Sequence, residues 1–203
     1  MAVPIASKLN HQSQVLFTQQ VTRLALMNSS TPIVSTKFSP HSAAFLHLIY
    51  SIQPDIPVVW VDTGYNTRGT IKFADHLTNL LKLNLHVYTP VAHELTVPPD
   101  LDDPTHAAFS YDVKIEPFER AITEMSADMW LSSIRSYQSS YRQSLEIFKE
   151  KDSDLLKVSP MLHWTDQDVM RYLHDHGLPT GPACYDPTKG EPLRECGLSL
   201  IHI

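Results

Sequence analysis

Short β-branched apolar runs alternate with amphipathic segments along the chain, a pattern that predicts a parallel sheet covered by helices. Thr31–Phe38 (TPIVSTKF) reads as a first strand, and Ser39-Pro40 then opens an apolar-rich helix through about Tyr50. Ile56–Val61 (IPVVWV) is almost continuously apolar, as a strand buried on both faces requires. Ile71, Ala74, Leu77 and Leu81 recur at three- and four-residue spacing and predict a helix from about Gly69 to Lys82. Leu83–Tyr88 is the next strand candidate. Thr89 to Tyr111, with Pro90, Pro98, Pro99 and Pro104 among acidic residues, reads as a long surface excursion. A helix near Glu116–Met125, a short strand near Asp128–Ser132, a helix from about Ser139 to Lys149 and a strand at Lys157–Met161 follow. Thr165 with Asp168 resembles a capping box opening a helix that stops at Gly177. The prediction is α/β: a single domain with an open, mostly parallel sheet and helices on both faces. Its core spans about 16–177, and an irregular, mobile C-terminal tail at 178–203 carries a cysteine.

Composition narrows the function classes. With 203 residues the chain is long enough for one sizeable core. No apolar run reaches the ~18 residues of a membrane span, and MAVPIASKLNHQSQ lacks the basic and apolar regions of a secretory signal. The net charge of −6 argues against a general nucleic-acid surface, so an anionic ligand needs a local site. Two cysteines without CxxC spacing make neither a disulfide framework nor a zinc ribbon. The expectation is a cytoplasmic protein of a reducing compartment, with no membrane and no nucleic-acid partner.

Four segments hold candidate chemistry. The strand-to-helix junction Ser35–Ser42 carries Ser39 as a cap and Pro40 at a first helical position. Amides of the first turn, the hydroxyls of Ser35, Thr36, Ser39 and Ser42, and the Lys37 ammonium suit an anion. An ordinary capped helix is the alternative. Asp62-Thr63-Gly64-Tyr65-Asn66 follows the buried strand, where open α/β sheets place their ligands, although Asp and Gly also close plain turns. Arg135 and Arg142 present two guanidinium forks in a polar, aromatic stretch, suited to phosphate or sulfate, or else to a solvated basic helix face. Cys196, beside Arg194, suits a thiolate nucleophile or an incidental exposed thiol. Cys184, between Ala183 and Tyr185, has no activating charge and reads as incidental.

In this order the segments resemble the phosphoadenylyl-sulfate (PAPS) reductase family, of the adenine-nucleotide α-hydrolase-like (PP-loop) fold, from about Leu16 to Leu198. Ser35–Ser42 is similar to its modified PP-loop, S-x-x-F-G-x-x-[SA]. The segment from Ile56 to Tyr88 is similar to its second strand, "DTGY" turn and helix. SIRSYQSSYR resembles G-x-R-R-x-Q-S-x-x-R, KVSPMLHWTDQDVMRYLHDHGLP its last helix, and RECGL the tail motif E-C-G-L-H. The resemblance implies that Cys196 attacks the sulfur of PAPS, leaving an S-sulfocysteine that thioredoxin or glutaredoxin reduces to sulfite. It places Ser35, Thr36, Lys37, Ser39 and Ser42 around the phosphosulfate, Asp62 and Tyr65 beside the nucleoside, and Arg135 and Arg142 on the anionic end. It implies no bound cofactor and no metal. The Cys count excludes the iron–sulfur cluster of the adenylyl-sulfate (APS) branch. Family members are often homo-oligomers. This chain departs at Ser39 for the loop Gly, Ser136 for the second Arg, Ser199 for the closing His, and in a short segment before the cysteine without G-D-x-H-x-T, where Thr188 and Lys189 are the polar substitutes. Ser136 leaves PAPS and APS both open. An ATP-cleaving PP-loop nucleotidyl or sulfur transferase and a non-catalytic nucleotide-binding relic are the alternatives.

Overall fold

The sheet has six strands in the order Asn84–Tyr88, Pro57–Val61, Pro32–Thr36, Met129–Leu131, Leu156–Val158 and Phe148–Glu150, the last alone antiparallel to its neighbour. The computed structural model describes residues 5–91, 97–150 and 155–189. In chain order the elements are α1 (Ile5–Leu26), β1 (Pro32–Thr36), α2 (Ser42–Tyr50), β2 (Pro57–Val61), α3 (Arg68–Leu81), β3 (Asn84–Tyr88) and α4 (His106–Ser110). A π-helical turn (Tyr111–Ile115) leads into α5 (Glu116–Glu124), then β4 (Met129–Leu131), a 3-10 turn (Ser136–Gln138), α6 (Ser140–Gln143), β5 (Phe148–Glu150), β6 (Leu156–Val158) and α7 (Asp166–Asp175).

Alternation along the strands splits the core into two layers. Val34, Val58, Trp60, Leu131 and Val158 face one side and pack with Phe45, Leu48, Phe73, Leu77 and Tyr172 of α2, α3 and α7. Ile33, Val59 and Trp130 face the other side, against Phe118 and Ala121 of α5. Helices therefore lie on both faces, which is the expected α/β arrangement. From β1 the chain moves to β2 and β3 on one side, then crosses to β4 and β6 on the other. The carboxyl ends of β1 and β4 thus flank a topological switch point, the place where open α/β sheets form ligand crevices.

Several expected boundaries shift. Ser39 and Pro40 do not start α2; the chain turns through Pro40-His41 and the helix begins at Ser42, with Phe38 at φ 50° and Ser42 N–H donating to the Ser39 carbonyl at 3.0 Å. The buried stripe of α3 uses Thr70, Phe73, Ala74, Leu77 and Leu81, whereas Ile71 is exposed. The predicted Ser139–Lys149 helix is only the short α6, and Phe148–Glu150 forms edge strand β5. The end of the Thr89–Tyr111 excursion is helical, as α4. The Thr165–Asp168 capping box is present, and Gly177 at φ 61° follows α7. Helix α1 has no counterpart among the sequence expectations.

A histidine pair joins α2 to α7. His47 Nδ1 lies 2.9 Å from the Tyr172 hydroxyl, its ring centroid 4.9 Å from that of His176, and His176 stacks on Tyr172 at 4.0 Å. Burial, then the neighbouring His176, holds His47 below its ordinary pKa. The unfolded chain then binds more protons at this position as pH falls through about 6.5, so His47 destabilises the fold on acidification until its folded pKa is passed. The urea midpoint is expected to fall between about pH 7.5 and 5.5, and to fall less steeply in His47→Gln. Because burial lowers His11 and His41 as well, a residual slope persists. An unchanged slope in His47→Gln overturns the assignment.

Candidate functional site

A cavity of about 640 Å³ opens at the switch point, within the range of small-molecule sites. One wall is the β1–α2 loop, with Ser35, Thr36, Lys37 and Ser39; the opposite wall follows β4, with Arg135 and Arg142. These six sequence candidates share one cavity. The strands explain why: β1 and β4 are parallel neighbours, so both loops leave the same edge of the sheet.

The β1 loop is fastened from below. Trp130 of β4 donates its indole N–H to Ser35 Oγ at 2.7 Å, and Phe38 N–H donates to Thr36 Oγ1 at 3.2 Å. Ser42 does not line the cavity; it is buried at the start of α2, with its Oγ 3.1 Å from Ser39 Oγ, and so supports the loop from behind. Asp62 and Tyr65 are also off the wall. Asp62 Oδ1 accepts from Gly64 N–H at 3.1 Å and Asn66 Nδ2 at 2.7 Å, closing its own turn, while the Tyr65 ring packs edge-on against Phe109. Their neighbours Thr63 and Asn66 reach the cavity instead.

Arg135 is only 5% exposed, and its guanidinium is held on three sides. Nη1 pairs with Asp166 Oδ1 at 2.9 Å, Nη2 lies 2.9 Å from His41 Nδ1, and the Tyr137 ring sits 5.2 Å away. Burial, then the adjacent Arg135 charge, holds His41 below its ordinary pKa, and because a guanidinium nitrogen can only donate, the Nδ1 facing it accepts. A hydrogen bond from Tyr137, with the Arg135 charge, lowers Asp166, while burial and that same bond push Tyr137 up to about 12. Arg142 is aimed by Gln138, whose Oε1 accepts from its Nη1 at 2.5 Å and from Arg135 N–H at 3.3 Å. Fixed donors of this kind stabilise developing negative charge without reorganising.

His41, Asp166 and Tyr137 were not among the sequence candidates, nor was Lys114 of the π-helical turn, whose ammonium pairs with Asp186 at the cavity wall. Asp166 had a signal, since it is a second acidic residue in the first turn of α7 beyond the one the capping box uses. Cys184, read as incidental, lines the cavity and is half-buried. Cys196 lies outside the described residues. Among the described residues no group of three or more His, Cys, Asp or Glu side chains is placed to hold a metal ion, and no helix is long and apolar enough to cross a membrane.

The open, mostly parallel sheet with a hydroxyl-rich loop at its switch point defines a doubly wound α/β protein. Solved structures share this fold: the phosphate complex of PAPS reductase from Candida auris superposes with a TM-score of 0.71 at 20% identity, covering 89% of this chain and 91% of that one. Candida glabrata FMN adenylyltransferase does so at 0.63 and 14% identity, covering 85% and 60%. Residues 31–185 match the family model described as the phosphoadenosine phosphosulfate reductase domain. The chain is 39% identical over 188 residues to phosphoadenosine 5′-phosphosulfate reductase of Synechococcus sp., covering 89% of this chain and 81% of that protein. Against the Xylella fastidiosa enzyme of the same name it is 38% identical over 159 residues, 74% of this chain and 66% of that one. The chain belongs to the phosphoadenosine phosphosulfate reductase family.

Proposed function

We propose that the chain reduces 3′-phosphoadenylyl sulfate to sulfite and adenosine 3′,5′-bisphosphate through an S-sulfocysteine on Cys196. The observation that carries this reading is the switch-point cavity, with the family's hydroxyl-rich loop on one wall and Arg135 and Arg142 on the other. The Cys196 thiolate attacks the sulfonate sulfur. The S–O bond to the 5′-phosphate breaks with its electron pair going to the phosphate oxygen, and Arg135 and Arg142 stabilise that charge. Ser35, Thr36 and Lys37 hold the phosphosulfate against the β1 loop, with Ser39 beside them and Ser42 behind. Asp62 and Tyr65 shape the turn that presents Thr63 and Asn66 to the nucleoside.

A thiolate of reduced thioredoxin or glutaredoxin then attacks Cys196 Sγ. Sulfite leaves with the bonding pair, and a second thiol resolves the mixed disulfide, so two electrons come from the external dithiol and no resident cofactor is needed. A free thiol in the cycle fits a reducing cytosol. The test is sulfite release from PAPS and, separately, from APS, with thioredoxin, its reductase and NADPH. Sulfite from PAPS is the expected result. No sulfite from either nucleotide, with pyrophosphate released from ATP, overturns the reading.

A further inference from the structure

The cavity's remaining wall is the chain after α7, and its anchorage has no role in the chemistry above. Gly181 N–H donates to the Pro40 carbonyl at 3.0 Å, and a Cβ at Gly181 would lie 2.6 Å from the Phe73 ring and 2.9 Å from the Ser39 carbonyl. This segment therefore lies directly on the β1–α2 loop. Five residues on, Asp186 meets Lys114. Lys114 is buried and Asp186 nearly so, their side chains 9% and 11% exposed, and the Lys114 ammonium also reaches Thr188 Oγ1 at 3.4 Å. Asp186 Oδ1 accepts from Thr188 N–H at 3.1 Å and Thr188 Oγ1 at 2.7 Å, so the carboxylate is satisfied on both oxygens. Burial alone would raise the Asp186 pKa, but Lys114, with Thr188 and Lys37, outweighs it and holds the carboxyl below its ordinary value. A carboxylate this well supplied with donors is an anchor rather than a loose counter-ion.

We propose that the Lys114–Asp186 pair is a positioning latch, which fixes where the chain leaves the cavity toward Cys196 and thereby sets the nucleophile's approach. The inference rests on the reductase reading above. Lys114 charge is spent on Asp186, so nucleotide affinity rests on Lys37, Arg135 and Arg142, and the latch governs turnover. Only seven residues lie between Thr188 and Cys196, eight Cα steps and at most about 28 Å of extended chain, so an unfastened starting point misplaces the thiol. Thr188 and Lys189, weighed from the sequence as substitutes for the missing motif, stand at this latch, and Thr188 serves Asp186.

The experiment uses the full chain with Lys114→Met, Asp186→Asn and the double variant, all near-isosteric. Three readouts are needed: sulfite release from PAPS, affinity for adenosine 3′,5′-bisphosphate, and amide hydrogen exchange at Gly181 and Thr188. Each single variant is expected to lower kcat about 10- to 100-fold, the range for a misplaced reacting group. Nucleotide affinity stays within about twofold, exchange at Thr188 quickens, and the double variant is no worse than the worse single, since the two residues act as one unit. Unchanged kcat and unchanged exchange in Asp186→Asn overturn the latch, as does additive loss in the double variant. A wild-type chain that makes no sulfite fails the reductase reading. Exchange at Thr188 then still decides whether the pair fastens the segment: unchanged exchange overturns the latch, and quickened exchange supports it.

Discussion

Cys196→Ser is expected to release no measurable sulfite from PAPS, while adenosine 3′,5′-bisphosphate still binds within about twofold of the native affinity, since binding and nucleophilic attack use different groups. A thiol with an ordinary pKa near 8.5 is several per cent thiolate at neutral pH, and cations nearby raise that fraction. A serine hydroxyl is not ionised there and its oxygen is a poor nucleophile toward sulfur. The loss should exceed about 10⁴-fold, equivalent to more than about 5.4 kcal/mol of barrier. Cys184 makes this a discriminating test, because it lines the cavity and is the chain's other thiol. With Cys196 as nucleophile, incubation with PAPS and no reductant leaves one SO₃ group on the peptide holding Cys196, and Cys184→Ser still turns over. Modification at Cys184, with activity surviving Cys196→Ser, would transfer the role to the wall residue.

Much of the sheet was legible because its strands are buried on both faces and carry nearly unbroken apolar runs. Ile33, Val34, Val58, Val59 and Trp60 are all 6% exposed or less. Helix α7 was legible through one local device, Thr165 with Asp168. Helix α1 was not, since its burial inverts the usual pattern: Thr18, Thr22 and His11 face inward, while Ile5, Leu9 and Leu16 face out. Its buried hydroxyls are satisfied locally, Thr18 donating to the Gln14 carbonyl and Thr22 to that of Thr18, and Trp164 donates to Thr18 Oγ1. Such bonds are invisible to a hydrophobic period. Strand β5 fails for a different reason: every residue is exposed, so an edge strand leaves no alternation to read.

The site divides along the same line. Residues contiguous in sequence, such as Ser35–Ser39, could be grouped from the string alone. The set around Arg135 joins three segments far apart in the chain: His41 carries no local sign of a guanidinium partner, and the second acidic residue at the start of α7 marks Asp166 as available without saying which cation it meets. Asp62 shows how position and turn chemistry overlap: a carboxylate at the end of a central strand closes its own turn, and its neighbours Thr63 and Asn66 are the ones that reach the cavity.

Arg135→Ala is expected to lower kcat/KM for PAPS by about 10²- to 10³-fold, the usual cost of removing one donor that stabilises developing charge, about 2.7–4 kcal/mol. The loss should fall mainly on kcat, because negative charge on the bridging phosphate oxygen grows as the S–O bond breaks. Arg135→Lys recovers at most about tenfold: one ammonium cannot span Asp166 and His41 while still presenting a donor to the cavity, as the planar fork does. Stability should change far less than activity. The Asp166 side chain is 57% exposed, so it is rehydrated rather than stranded when its partner is lost. Asp166→Asn acts through the arginine, so its own penalty, about tenfold, should disappear in an Arg135→Ala background. Full activity in Arg135→Lys would mean that the fork is not what the reaction uses. An undiminished Asp166→Asn penalty in the Arg135→Ala background would instead place Asp166 in direct contact with the substrate or the thioredoxin step.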